Sequence, residues 1–180
     1  MRFETDKCVG VIVDVQERLF TFMQQKERLE TNLIILIKGL RVLGVPLLKT
    51  QQYTSGLGPT IDSVDDAMGG LQSIEKLSFS CCEEPSFNET LEGKGRKHVI
   101  LAGIESHVCV LQTALDLVLN GYVPVVVEDC ISSRKDSDRT TALLRMQAEG
   151  VRLASYESIL LELCRKAGSD AFKEILRLIK

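Results

Sequence analysis

Runs of apolar, β-branched residues alternate along this chain with stretches in which apolar residues recur every three or four positions. Cys8 to Val15 (Cys-Val-Gly-Val-Ile-Val-Asp-Val) is the first continuous run. It reads as a central strand buried on both faces, with Asp14 near its carboxyl end. From Glu27 to Leu43 the period changes: Leu29, Leu33, Leu36, Ile37, Leu40 and Leu43 fall on one helical face. Gly44-Val45-Pro46 ends that pattern, and Val45 to Thr50 reads as a second strand. Gln51 to Gly70, rich in Gly, Pro, Ser and Asp, reads as an irregular excursion of the kind that often carries function. Leu71 to Lys76 fits a short strand, and Glu84 to Leu91 a helix closed by Gly93.

The stretch from His98 to Asn120 organises the rest. His98 to Ala102 has the pattern of a buried strand. Val108, Leu111, Leu115, Val118 and Leu119 follow at helical spacing until Asn120-Gly121. Between them, Gly103-Ile104-Glu105-Ser106-His107 reads as a tight turn. Val123 to Glu128 is a further strand, Ser137 to Glu149 a helix ended by Gly150, and Val151 to Ser155 a last short strand. Ser158 to Cys164 and Ser169 to Ile179 are amphipathic helices. Strands alternating with helices predict an α/β fold: three layers, with a mostly parallel six-stranded sheet covered by helices on both faces. The pattern shows no linker or repeat, so residues 1–180 are expected to form a single domain. The helices of 158–180 carry more apolar residues than one sheet face needs, which predicts packing or self-association into a homo-oligomer.

Composition narrows the classes of function. Of the 180 residues, 44% are hydrophobic and 26% charged, and the net charge is −3. With no basic block beyond Lys94-Gly95-Arg96-Lys97, a nucleic-acid or anionic-membrane partner is not expected. No apolar run reaches the ~18 residues of a membrane span. The polar start, Met1 to Lys7, resembles neither a secretory signal nor a transit peptide, so a cytoplasmic protein is expected. Six cysteines without a C-x-x-C, and two histidines, give poor support for a zinc site. No cofactor is called for.

Cys109 is the candidate nucleophile. It sits just inside the start of a helix, where unpaired N–H groups and the helix dipole favour a thiolate. Asp14, at the end of another strand, reaches the same edge of a parallel sheet, the edge at which such folds bind ligands. It is a candidate to take the thiol proton, and Lys76 is a candidate cation beside them. His107 also invites a Cys/His reading, though two residues before Cys109 it points elsewhere.

These residues lie in four motifs that together resemble the isochorismatase-like cysteine hydrolases, which include nicotinamidases and N-carbamoylsarcosine amidase. The motifs are Asp14-Val15-Gln16, Lys76-Leu77-Ser78-Phe79-Ser80, Gly103 to Val110, and Asp129-Cys130-Ile131-Ser132-Ser133-Arg134. The resemblance covers roughly Cys8 to Tyr156. It implies a triad of Asp14, Lys76 and Cys109, in which Asp14 is the general base and Lys76 holds the Asp–Cys pair ionised. It implies an oxyanion hole from the backbone N–H groups of Glu105 and Cys109, and a cis peptide at Ile104–Glu105. Cys109 would attack an amide-like carbonyl carbon of a small-molecule substrate and form an acyl-thioester. Phe20, Tyr53, Phe79 and Ile104 are candidate substrate contacts. The chain also departs from the family. Lys49-Thr50-Gln51-Gln52-Tyr53 stands where nicotinamidases carry a metal-binding Asp-x-His, so no metal is expected. Cys109 argues against the vinyl-ether chemistry of true isochorismatases, which lack that nucleophile. Two rivals remain: a non-catalytic binding or scaffold protein that retains the fold, and a thiol redox sensor using Cys109.

Overall fold

A computed structural model describes residues 1–180. Six strands form one sheet in the order β3-β2-β1-β4-β5-β6. They are β1 (Cys8–Val13), β2 (Leu47–Gln52), β3 (Ile74–Lys76), β4 (His98–Ile104), β5 (Val123–Ser132) and β6 (Arg152–Ala154). Every neighbouring pair is parallel. The strand order reverses between β1 and β4, which leaves a crevice beyond their carboxyl ends.

Nine α-helices accompany the strands. α1 (Glu17–Phe20) and α2 (Lys26–Val42) follow β1, and α3 (Thr54–Leu57) and α4 (Asp62–Met68) follow β2. α5 (Pro85–Glu92), α6 (Leu111–Leu119) and α7 (Asp136–Ala148) come next, then α8 (Tyr156–Cys164) and α9 (Asp170–Ile179). The strand period of two divides the core. Val9, Val11 and Val13 pack with Phe87 and Leu91 of α5, Leu111 and Leu117 of α6, and Met146 of α7. Cys8 and Ile12 face the other layer, with Leu33, Leu36, Ile37 and Leu40 of α2 and Ile159, Leu160 and Leu163 of α8. The mostly parallel three-layer architecture expected from the pattern is therefore present.

Two local expectations change. The stretch after β2 is not irregular: Val64, Ala67 and Met68 are buried at helical spacing, and α4 packs against α2. Acidic residues interleaved with these positions obscured the period. Part of the apolar surface of α8 and α9 is covered within the chain. Ile159, Leu160, Leu163 and Ile175 belong to the core beside α2, and Leu160 lies so close to Gly39 that a Cβ there would come within 2.6 Å of it. Leu161 remains exposed, and Phe172, Leu176, Leu178 and Ile179 of α9 are half-buried. No helix is long and apolar enough to cross a membrane.

Candidate active site

Asp14 is the first residue past β1, and its φ of 50° turns the chain sharply at the sheet's edge. Its carboxylate is fully buried and has two close partners. The Thr50 hydroxyl, within β2, donates to Oδ1 at 2.7 Å. Lys76 Nζ, from the end of β3, lies 2.6 Å from Oδ2, and neither side chain of this ion pair is exposed at all. Lys76 also donates to the carbonyls of Ser78 and Phe79, both at 3.0 Å. Burial, the largest single effect, lowers the Lys76 pKa, but the charge and hydrogen bond of Asp14 together with the neighbouring Cys81 and Cys109 more than offset it, and the net shift is upward. An ammonium with two carbonyls and a carboxylate around it stays charged without water.

The thiol arrives from β4. Gly103 pairs with Val13, has a φ of 124°, and would place a Cβ 2.1 Å from the Val13 carbonyl oxygen. Only glycine lets β1 and β4 approach so closely here. The Ile104–Glu105 peptide is cis. Ser106–Val110 then forms a single π-helical turn that runs into α6 and carries Cys109. The Cys109 thiol donates to Gln52 Oε1 at 3.5 Å, with the Asp14 carboxylate as a charged neighbour. Gln52 is itself clamped. Its backbone N–H donates to Gln16 Oε1 at 2.7 Å, and its side-chain amide donates to the Leu77 carbonyl at 3.1 Å. That second bond leaves its carbonyl oxygen for the thiol.

The expectation of a resting thiolate is corrected by these surroundings. Burial, first, and the Asp14 carboxylate, second, hold the Cys109 pKa well above the ordinary thiol value, and Lys76 offsets them only in part. Cys109 lies within the π-turn rather than exposed at a helix start. Desolvation and a neighbouring negative charge there outweigh the helix terminus. These surroundings favour the protonated form of the thiol.

Above the thiol is a cavity of about 360 Å³. Leu19, Tyr53, Leu57, Phe79 and Val108 form apolar walls; Gln52, Glu105 and Arg134 supply polar edges. Tyr53 and Phe79 are about half exposed and stand at its rim. Arg134 donates to Glu105 Oε2 through its backbone N–H (3.2 Å) and Nε (3.1 Å). Phe20 and Ile104 do not line this cavity. Both are buried in the core beside α2, because the short helix α1 turns Leu19 toward the cavity and Phe20 inward, while Ile104 is still within β4. His107 is engaged elsewhere, with Nδ1 2.9 Å from Ser133 Oγ. Asp129 is structural: it accepts from the Tyr156 N–H at 2.9 Å, at the start of α8.

Sequence reasoning assigned no role to Thr50, Gln52, Leu19, Leu57 or Val108. A threonine closing a buried strand was the one available signal. The segment matching the nicotinamidase metal motif offers amides and hydroxyls. Gln51 is occupied by Thr54, Thr60 and Ser73. No group of three or more His, Cys, Asp or Glu side chains converges as metal ligands would. The residues present do not fit that metal.

A cysteine, a carboxylate and a lysine brought together at the switch point of a doubly wound sheet agree with the sequence comparison, in which the isochorismatase domain matches residues 8–158. The chain belongs to the isochorismatase family. Mouse isochorismatase domain-containing protein 2A is 38% identical over 180 residues, covering 99% of this chain and 85% of that protein. Among solved structures, the MAR1 ribonuclease of Caenorhabditis elegans superposes with a TM-score of 0.93 at 34% identity, covering 99% of this chain and 92% of that one. The Escherichia coli YcaC gene product, described as an octameric hydrolase of unknown specificity, gives a TM-score of 0.93 at 20% identity over 99% and 90% of the two chains. At that identity the likeness is one of fold. The chain thus has the hydrolase fold of the isochorismatase family.

Proposed function

We propose that this protein is a metal-independent cysteine hydrolase of a small amide-like substrate, with Cys109 as nucleophile, Asp14 as general base and Lys76 as charge partner. The observation that carries the reading is the fully buried Lys76–Asp14 ion pair beside a thiol that opens into an apolar-walled cavity. Burying such a pair is costly unless it performs chemistry or is fully satisfied. A carboxylate beside a thiol in a site closed to water is suited to take that proton.

In this mechanism the S–C bond forms as the thiol proton moves to Asp14 and the carbonyl electron pair moves onto oxygen. The backbone N–H groups of Glu105, just before the π-turn, and Cys109, within it, receive that oxyanion. Donors of this kind contribute about 10²–10³ in rate each. Collapse expels the amine, which takes the proton back from Asp14 and leaves an acyl-thioester. Asp14 then deprotonates the attacking water, and the acid departs with Cys109 again a thiol. Lys76 keeps its charge throughout and offsets whichever negative charge is present.

The test is a panel of small primary and secondary amides, with and without apolar substituents. Turnover is expected for the parent, with loss of at least 10³-fold in Cys109→Ala, Asp14→Asn and Lys76→Met, as for removal of triad members elsewhere. Full activity in Cys109→Ala refutes the mechanism. Binding of panel compounds without turnover favours the scaffold reading. The C. elegans relative's description as a ribonuclease supports one further arm, a short single-stranded RNA. Against that reading stand the net charge of −3 and a cavity whose exposed cation, Arg134, is already paired with Glu105. We also propose homo-oligomerisation, supported by the exposed apolar residues Phe22, Leu77 and Phe79. A monomer at micromolar concentration in sedimentation refutes it.

A further inference from the structure

Asp14 has two oxygens and needs only one of them for proton transfer. What decides which one is free lies on β2. The Thr50 hydroxyl is fully buried and 2.7 Å from Oδ1. The carboxylate carries no hydrogen, so the hydroxyl is the donor. Behind it, the buried Cys81 thiol lies 3.9 Å from Thr50 Oγ1 and donates to that oxygen, which leaves the hydroxyl hydrogen aimed at Asp14. Oδ2, by contrast, has no aligned hydrogen-bond partner, although Lys76 Nζ lies 2.6 Å away as an ion pair. The two oxygens are therefore unlike: one is saturated by a hydroxyl, and the other has an unused lone pair next to a cation.

We propose that Thr50 is a positioning residue of the proton transfer: by occupying Oδ1 it turns the carboxylate so that Oδ2 alone receives the Cys109 proton. This rests on Asp14 acting as base. The hydroxyl stabilises the charged form of the carboxylate, because a hydrogen bond donated to the charged form favours it. The groups facing Asp14 are Lys76 from β3, Cys81 from the turn Cys81–Glu83, Cys109 from the π-turn and Thr50 from β2. Of these, only Thr50 can be made apolar at constant shape without removing a charge or a thiol. Packing does not require its hydroxyl, since valine has the same branched outline and suits a buried strand.

The experiment uses p-nitrophenyl acetate, an activated acyl donor, at one fixed pH. Nitrophenolate release on acylation of Cys109 is followed by absorbance, and the acyl-thioester by intact mass, in the parent, Thr50→Val, Thr50→Ser and Asp14→Asn, with circular dichroism recorded for each. Thr50→Val should slow acylation about tenfold, the size of one lost hydrogen bond to a charged group, while the donor concentration giving half the maximal rate stays unchanged. Thr50→Ser should restore the rate. A Thr50→Val rate equal to the parent's, while Asp14→Asn is slow, overturns the role of Thr50 and leaves the base intact. Equal losses in Val and Ser assign the effect to packing and also overturn it. An Asp14→Asn rate equal to the parent's overturns the base itself, and Thr50's role with it. Should Thr50→Val fail to fold, Thr50→Ala is read in the same assay by the same criteria.

Discussion

At Cys109 two effects compete. The start of a helix draws charge onto a thiol, whereas burial and an adjacent carboxylate push it off. The second effect wins here, with burial the larger cause. In the absence of substrate, Cys109 should therefore react with iodoacetamide at pH 7 more slowly than a free cysteine. Its rate should climb steeply only in alkali, which site-resolved mass spectrometry measures directly. Lys76 follows the same physics with the opposite result. Lys76→Met removes the cation and leaves Asp14 buried and uncompensated. The expected loss is about 3–5 kcal/mol in denaturant unfolding. A change below that range would mean the carboxylate picks up a proton at little cost.

At the scale of elements, Gln16 joins the segments that enclose the cavity. It is fully buried, and its side chain donates to the Gln52 carbonyl (3.0 Å) and the Gly58 carbonyl (2.7 Å) while accepting from the Gln52 N–H. Gln16 and Thr60 form an antiparallel bridge as well. One side chain thus fixes both ends of α3, which carries Leu57 and follows Tyr53. Gln16→Ala should cost about 2–3 kcal/mol, a few hydrogen bonds' worth, and leave buried carbonyls unpaired. The more specific outcome is faster thermolysin cleavage within residues 53–60, read by peptide mapping, with the sites in β4 and α6 unchanged.

On the scale of the whole molecule, six free cysteines and no disulfide make stability sensitive to alkali. Burial raises Cys8 and Cys81 from 9.0 to about 11 each, and both are fully buried. The folded state holds these protons longer than the unfolded chain does. Stability is therefore complete below pH 9 and is lost as pH rises from 9 toward 11, by roughly 5 kcal/mol for the two thiols together. Lys76 acts in the same direction at higher pH. Its raised pKa keeps the ion pair's contribution full below its ordinary 10.5 and removes it as pH climbs through the raised value. Guanidinium unfolding at pH 8, 9, 10 and 11 should show this slope. Cys8→Ala combined with Cys81→Ala should lessen it, leaving the part due to Cys82, Cys109 and Cys130, whose thiols burial also raises, even as the smaller side chains lower the stability at pH 8.

Local pattern sufficed for the sheet and its helices. Strands buried on both faces, such as Cys8–Val13 and His98–Ile104, must be continuously apolar, and the helices between them must be apolar on one side. Both periods are written in consecutive residues, and so is the edge on which Asp14 and Cys109 emerge. The sequence could also be read as far as Asp14, Lys76 and Cys109, because each sits at the end of a strand or in the turn after one. Only the tertiary structure decided the charge state of Cys109, which depends on a carboxylate 95 positions away along the chain. It also decided that Leu19 rather than Phe20 faces the cavity, that Ile159, Leu160, Leu163 and Ile175 of α8 and α9 pack beside α2, and that Thr50 and Gln52 meet the Asp14 carboxylate and the Cys109 thiol. Each of these turns on distances between residues far apart in sequence, and the period of a single strand or helix carries no information about them.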